Sequence, residues 1–190
     1  MIKTKYIKRH FIEKSVAQFK PRGKCLEVGS GKRWKYYAES VTINRDSAAE
    51  PDFIGDAENM KFEDDAFLSI ICLEVIEHTT SPHALISEMY RVLETGGTLL
   101  VTVPFVFEIH DKSDYFRFTR QGLEYLFKDF RSIEITPHGG MFCVIFHFLR
   151  LGKIGRFIYP VLNNIGYLLD KIFQTGNPRI TLGYTLVAIK

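Results

Sequence analysis

The segment from Pro104 to Thr119 reads PFVFEIHDKSDYFRFT and gathers His110, Asp111, Asp114, Tyr115 and Arg117 into one short stretch. An imidazole exchanges a proton near neutral pH, a carboxylate can orient it, and a guanidinium grips an anionic group with two parallel donors. The same residues also suit a plainer task, in which Tyr115 and Arg117 pin a loop and Thr119 caps the helix that follows. Upstream, residues 25–34 read CLEVGSGKRW, with the acid Glu27 followed by Gly29, Ser30 and Gly31. Glycine there lets a ligand approach the backbone closely, and a following helix N-terminus favours negative charge. The third glycine that suits a pyrophosphate is missing, with Trp34 in its place, and no Gly-Lys-Ser/Thr sequence offers a P-loop. Taken alone, an acid and two glycines also make an ordinary tight turn.

The elements around these stretches decide where they meet. Residues 4–18 suit a helix with Ile7, Phe11, Ile12 and Val16 near one face, ended by Pro21 and Gly23. Strands are expected at 24–28, 41–43, 52–54, 67–73 and 98–103, with a short helical segment over 33–39. FLSIICL, residues 67–73, is the continuous apolar run of a strand buried on both faces. Ser81 and Pro82 open a helix carrying Leu85, Met89, Val92 and Leu93, which Gly96–Gly97 is expected to close. Thr119 opens another, with Leu123, Leu126 and Phe127 inward, and residues 132–136 and 181–189 form two late strands. Strands alternating with helices imply an α/β fold with a doubly wound, Rossmann-like, mostly parallel seven-stranded sheet and an antiparallel last strand. Ligands of such sheets bind outside the carboxyl ends of the strands, where both stretches fall.

Composition sets bounds. Hydrophobic residues at 46% and charged residues at 25% exclude a disordered chain and fit a single domain over 1–190. A net charge of +3 is too small to mark a nucleic-acid binder. The basic excess is concentrated in residues 1–20, as a solvated helix face or a contact with anionic lipid. Cys25, Cys72 and Cys143 have no metal-like spacing and read as buried small hydrophobes, so no metal site is expected. The first residues lack the apolar run of a signal peptide, which points to the cytoplasm. Residues 139–175 form an apolar helical insert before the last strand. Its uncharged runs are too short to span a bilayer and are interrupted by Arg150, Lys153 and Arg156. It could cover the core, a second subunit, the substrate or a membrane surface, so a homodimer and a peripheral membrane contact through 1–20 and 141–173 both stay open. His147, inside this run, reads as a satisfied core histidine.

In order along the chain stand Glu27-Val28-Gly29-Ser30-Gly31, Gly55-Asp56-Ala57, Ile76-Glu77-His78 and Arg91-Val92-Leu93-Glu94-Thr95-Gly96-Gly97. This series, over roughly residues 22–138, resembles class I S-adenosylmethionine-dependent methyltransferases, closest to the methyltransferase-11-like group. The resemblance implies S-adenosyl-L-methionine as cofactor and S-adenosyl-L-homocysteine as product. It implies that Glu27, Gly29, Ser30 and Gly31 border the methionine tail. Asp56 and Ala57 would flank adenine, and Leu73 and Glu74 would line the methyl-donor side. At the ribose the acid of the family aligns with Asn44, while a true acid, Asp46, lies two residues on. The loop with His110 and Asp114 resembles that of a subset associated with cell-surface polysaccharide or lipid-linked sugar pathways.

Methyl transfer to a hydroxyl is helped by a base, for which His110 ranks first and His78 second, with Asp114 orienting the histidine or touching the acceptor. A carboxylate acceptor would need no base and would bring Arg117 forward. The expected activity is therefore methyl transfer to a small-molecule or glycan/lipid-linked acceptor. Two other readings remain: a binding module of the same fold without turnover, and a nicotinamide-dependent oxidoreductase, which the missing glycine and the Gly55-Asp56-Ala57 step disfavour.

Overall fold

The central strands of the sheet form because their apolar residues can be buried only where both of its faces are covered. The computed structural model describes residues 7–32, 35–149, 152–173 and 179–190, with residues 152–157 described by their helical backbone alone. The strands are β1 (Cys25–Val28), β2 (Val41–Asn44), β3 (Phe53–Ile54), β4 (Phe67–Leu73), β5 (Leu93–Pro104), β6 (Ser132–Pro137) and β7 (Gly183–Ile189). They form one sheet in the order β3-β2-β1-β4-β5-β7-β6. The first five are parallel, and β7 inserts antiparallel to both β5 and β6, with Val101 opposite Leu186. The chain order reverses between β1 and β4, so the ligand crevice of such a sheet lies outside the ends of these two strands.

The helices are α1 (Ile7–Gln18), α2 (Pro82–Val92), α3 (Arg120–Leu126), α4 (Met141–Phe148) and α5 (Gly152–Ile172). One sheet face packs Leu85, Met89 and Val92 of α2 and Leu123 of α3 into the main core. As the residue types indicate, Ser81 caps α2 by accepting from the Ala84 N–H, and Thr119 caps α3 by accepting from the Gly122 N–H. On the other face lies α1. Its Ser15 hydroxyl bonds Thr185 of β7 at 2.6 Å, and the Tyr37 hydroxyl donates to the carbonyls of Val16 and Phe19. The start of α4 is held from α5, because the Asp170 carboxylate accepts the N–H groups of Gly140, Phe142 and Cys143. All three cysteines are buried.

Three local expectations are corrected. Residues 35–39 form bends and a turn rather than a helix; Arg33 and Trp34 lie outside the described residues. Gly96–Gly97 does not close α2, which ends at Val92 when the fully buried Leu93 joins the sheet opposite Phe67. The ladder then slips, pairing Ser69 with Thr98, and Gly96 at φ +77° takes up the slack. Lys8 is no solvated residue: it is 5% exposed and faces the sheet. The charges of residues 1–6, and the side chains of Arg150, Lys153 and Arg156, lie outside what is described.

His138, just after β6, makes the packing of α1 sensitive to pH. Its ring is 1% exposed and stacks on Phe11 of α1 at 5.4 Å, and its Nε2 lies 2.7 Å from the Thr185 hydroxyl. Burial, with a smaller contribution from Lys8, pushes its pKa down to about 3. The unfolded histidine takes a proton below about pH 6.5, whereas the folded one resists until far lower. Stability should therefore fall as pH drops from 6.5 towards 3, by up to about 1.4 kcal/mol per pH unit. Urea midpoints at pH 7 and pH 5 should drop less in His138→Gln than in the wild type. Equal drops would exclude this source.

Candidate active site

A cavity of about 420 Å³ opens at the ends of β1 and β4, lined by Glu27 to Ser30, Tyr36, Leu73 and Glu74, and roofed by Arg9 and Ile12 of α1. Its size suits a small-molecule or cofactor site. The glycine turn is built by contact. At Gly29, φ +74°, a Cβ would lie 2.4 Å from the Val75 side chain, and at Gly31 it would lie 2.0 Å from the Ala49 carbonyl oxygen. Both positions exclude any side chain without movement, which keeps the turn tight against the ends of its neighbours.

Glu27 borders the cavity, yet it is 1% exposed and its oxygens accept from the N–H groups of Tyr36 and Tyr37 and from the Ser40 hydroxyl at 2.6 Å. A buried carboxylate needs such donors, and it thereby shapes the segment that walls the cavity. Asn44 at the end of β2 bridges two turns, its Nδ2 donating to the Gly29 carbonyl and its Oδ1 accepting from the Asp46 N–H. Asp46 caps the short turn Ser47–Ala49 with one oxygen; the other has no partner among the described residues. Asp56, after β3, is half exposed and pairs at 2.6 Å with Arg45, which also reaches Glu58. Ala57 packs against the main core. The composition of the chain did not single out Arg45, since nothing local links it to Asp56.

Past β4 the chain turns sharply, with Glu74 at φ +55° and its N–H donating to the Thr102 carbonyl. One Glu74 oxygen is paired with Lys8, whose ammonium also lies 3.9 Å from the centre of the Phe107 ring; the other oxygen is buried without a partner among the described residues. Glu77, in the short turn Ile76–His78, is fully buried, and neither of its oxygens has a hydrogen-bond partner among the described residues. Burial, then the charge of Glu74, push its pKa up to about 8.

The loop after β5 folds over this turn and supplies the second half of the cluster. The backbone N–H groups of Tyr115 and Phe116 both donate to the Glu77 carbonyl. His78 Nε2 faces His110 Nε2 at 3.2 Å. His78 Nδ1 lies 2.9 Å from the Ser113 carbonyl, and His110 Nδ1 lies 3.0 Å from Asp114 Oδ2. The Asp114 side chain has no exposed surface and receives both guanidinium arms of Arg117, which holds its carboxyl well below the usual carboxylate range. Arg117 is tied further to the Glu108 carbonyl at 3.0 Å, so it supports the loop while its charge fixes Asp114. Asp111 points its carboxylate at the adjacent Lys112 N–H, and Tyr115 is 55% exposed. His147 is satisfied, with Nε2 2.9 Å from Glu108 Oε2 and its ring stacked on Phe107.

The structure thus joins His78, His110, Asp114 and Arg117 in one cluster with Glu77, beside the cavity of Glu27, Gly29, Ser30, Leu73 and Glu74. Asn44 and Asp46 stand at the end of β2 and Asp56 after β3, along the same edge. Glu77 and Lys8 were not singled out as site residues. The spacing Glu74-x-x-Glu77-His78 and the place of Lys8 beside Phe11 and Ile12 on the apolar face were the signals that could have found them.

Residues 27–101 match the family described as Methyltransferase domain. No curated protein matches the chain in sequence. Among solved structures, a SAM-dependent methyltransferase from Archaeoglobus fulgidus is similar at 15% identity and TM-score 0.63, over 98% of this chain and 95% of that one. A SAM-dependent methyltransferase from Thermotoga maritima is similar at 16% identity and TM-score 0.63, over 97% and 91%. Phosphoethanolamine N-methyltransferase 2 of Haemonchus contortus, in complex with S-adenosyl-L-methionine, is similar at 16% identity and TM-score 0.58, over 95% of this chain and 51% of that one.

Proposed function

We propose, for a chain that has the class I S-adenosylmethionine-dependent methyltransferase fold and a methyltransferase-domain match over residues 27–101, that it transfers a methyl group from S-adenosylmethionine to an acceptor hydroxyl. The observation that carries this reading is the cavity at the β1/β4 switch point, walled by the glycine turn and by Glu74, from which the chain runs straight into the turn holding Glu77 and His78. Gly29, Ser30 and Gly31 would border the methionine tail, with Glu27 shaping that wall from behind. Leu73 and Glu74 would face the methyl donor. The unpartnered oxygen of Asp46 suits a ribose hydroxyl, since the Asn44 amide is already engaged at both ends. Asp56, steered by Arg45, would accept from the adenine amine.

In the reaction the acceptor oxygen displaces the sulfur at the methyl carbon. The C–S bond breaks as the O–C bond forms, the sulfonium becomes a neutral thioether, and the hydroxyl proton passes to water. Alignment of the two reactants supplies much of the acceleration. The loop from Pro104 to Thr119 would form the acceptor side.

A lipid-linked acceptor draws support from α5. Val161, Ile165, Leu168 and Ile172 recur at helical spacing and are between 42% and 60% exposed, so they form an apolar stripe. No described helix is long and apolar enough to cross a membrane. The protein should float with anionic vesicles at low salt, and Leu168→Lys/Ile172→Lys should abolish flotation. Wild-type protein left in the soluble fraction would rule out this surface.

The reading is tested by incubating the protein with methyl-labelled S-adenosylmethionine and cell extract, then separating lipid-extractable from aqueous products. Label should appear in the lipid-extractable fraction. Label in the aqueous fraction alone would overturn the lipid-linked acceptor, and no transfer from any extract would overturn turnover itself.

A further inference from the structure

The tautomers of His78 and His110 are fixed by their surroundings. The Ser113 carbonyl can only accept, so the His78 Nδ1 at 2.9 Å carries the hydrogen. Asp114 is ionised against Arg117 and likewise only accepts, so the His110 Nδ1 at 3.0 Å carries its hydrogen too. With both rings neutral, both Nε2 atoms present lone pairs, and these meet at 3.2 Å with the rings 77° apart. Two lone pairs so close repel unless they share a cation. Beside them is the Glu77 carboxylate, fully buried, unpartnered among the described residues, with one oxygen 3.8 Å from His78 Nε2. Burying such a group without a partner is costly, and a bound cation would remove that cost.

We propose that Glu77, His78 and His110 bind a divalent transition-metal ion through one carboxylate oxygen and the two Nε2 atoms. These donor atoms all lie within 4.8 Å of one another. Metal–nitrogen bonds of about 2.0–2.1 Å at octahedral or tetrahedral angles separate two ligand nitrogens by roughly 2.9–3.4 Å, which brackets the 3.2 Å between the two nitrogens; the Glu77 oxygen, 3.8 Å from His78 Nε2, would turn inward to complete the set. Two imidazoles with a carboxylate suit zinc, iron, cobalt or nickel better than the all-oxygen ions magnesium and calcium. The outer partners are in place as well: the Ser113 carbonyl and Asp114 orient the two rings, as such groups do around metal-bound histidines. Three protein ligands leave positions open towards the acceptor side. The binding of the ion does not depend on the methyl-transfer reading, but its role does: it would hold the acceptor oxygen and lower its pKa, the proton leaving to water.

The test uses the full chain, stripped with a chelator and titrated with Zn²⁺ by calorimetry and with Co²⁺ by visible absorption. One ion per chain should bind, and Co²⁺ should show the ligand-field bands of a nitrogen/oxygen set. Glu77→Gln and, separately, His78→Gln should weaken binding by at least about 100-fold, scaling up from the 10–100-fold cost of losing an outer partner. Glu77→Gln keeps the side-chain volume and puts a neutral amide where burial already favours the neutral acid, so it should fold, as circular dichroism would verify; His78→Gln provides the second arm. Failure of the wild type to bind either ion would overturn the site in favour of a proton shared between the imidazoles. Binding at unchanged affinity in both variants would also overturn it. Ion binding without S-adenosylhomocysteine binding would preserve the site and defeat the methyl-transfer reading; the reverse result would do the opposite.

Discussion

Alanine in place of Gly31 is expected to destabilise the protein by about 3 kcal/mol, the upper end of overpacking costs, and to weaken S-adenosylhomocysteine binding by at least about 100-fold, two factors of ten at 1.4 kcal/mol each. The added Cβ would sit 2.0 Å from the Ala49 carbonyl oxygen and 2.7 Å from its carbon, and these are backbone atoms that no rotamer change can move aside. The turn would have to lift away from residues 46–50. That lift would strain the Lys32 N–H bond to the Glu50 carbonyl and the short turn that Asp46 caps. The cavity wall and the turn at the end of β2 would therefore shift together. Gly96→Ala provides the control: nothing lies within 4 Å of its Cβ, and only the positive φ resists, at about 1 kcal/mol. Urea unfolding and calorimetry on both variants check this. A Gly31→Ala variant no less stable than Gly96→Ala, with normal binding, would show that the turn does not shape the site.

The second large effect is expected at Asp114. Asp114→Ala leaves the Arg117 guanidinium and the His110 ring without their shared acceptor, at a side chain with no exposed surface. Removing one partner of a fully buried ion pair costs about 3–5 kcal/mol; with the Arg117 side chain 23% exposed, a loss of about 2–3 kcal/mol is expected. The loop would loosen, since Arg117 then holds only the carbonyls of Phe116 and Glu108. The pH dependence has a definite sign. The Asp114 carboxyl is held below its unfolded value, so its stabilisation is fully present above about pH 4 and is lost as pH falls further. The difference between wild type and variant should therefore shrink as pH falls below about 4 in denaturation experiments. A loss below about 1 kcal/mol, the range of exposed pairs, would mean that the pair is effectively solvated.

Much of the scaffold was legible because its signals are local. The short apolar run Phe67–Leu73 has the length and composition of a doubly covered strand, and Ser81 with Pro82, like Thr119, marks a helix start by its own hydrogen bond. The end of α2 was not, because Leu93 fits the helix period as well as the strand, and its full burial against the sheet decided the matter. Within the site, His110 and Asp114 stood out by type and spacing. The pairing of His110 with His78 did not, because only the neighbouring ends of β4 and β5 bring residues 32 positions apart together. For the same reason a search for metal ligands by cysteine spacing could not reach Glu77, His78 and His110. Lys8 was read with the other basic residues near the N-terminus, although its place beside Phe11 and Ile12 puts it on the buried face. What local patterns do not encode here is which charge each buried acid finds: Lys8 for Glu74, Arg117 for Asp114 and Arg45 for Asp56.

Calorimetric titration of the full chain with S-adenosylhomocysteine, alongside NAD, tests the central claim most directly. One equivalent of S-adenosylhomocysteine should bind, with the affinity lost in Gly31→Ala and NAD giving no heat. Saturable binding of NAD with none of the sulfur nucleotide would contradict the account, because the same turn would then hold a pyrophosphate for which it lacks the glycine.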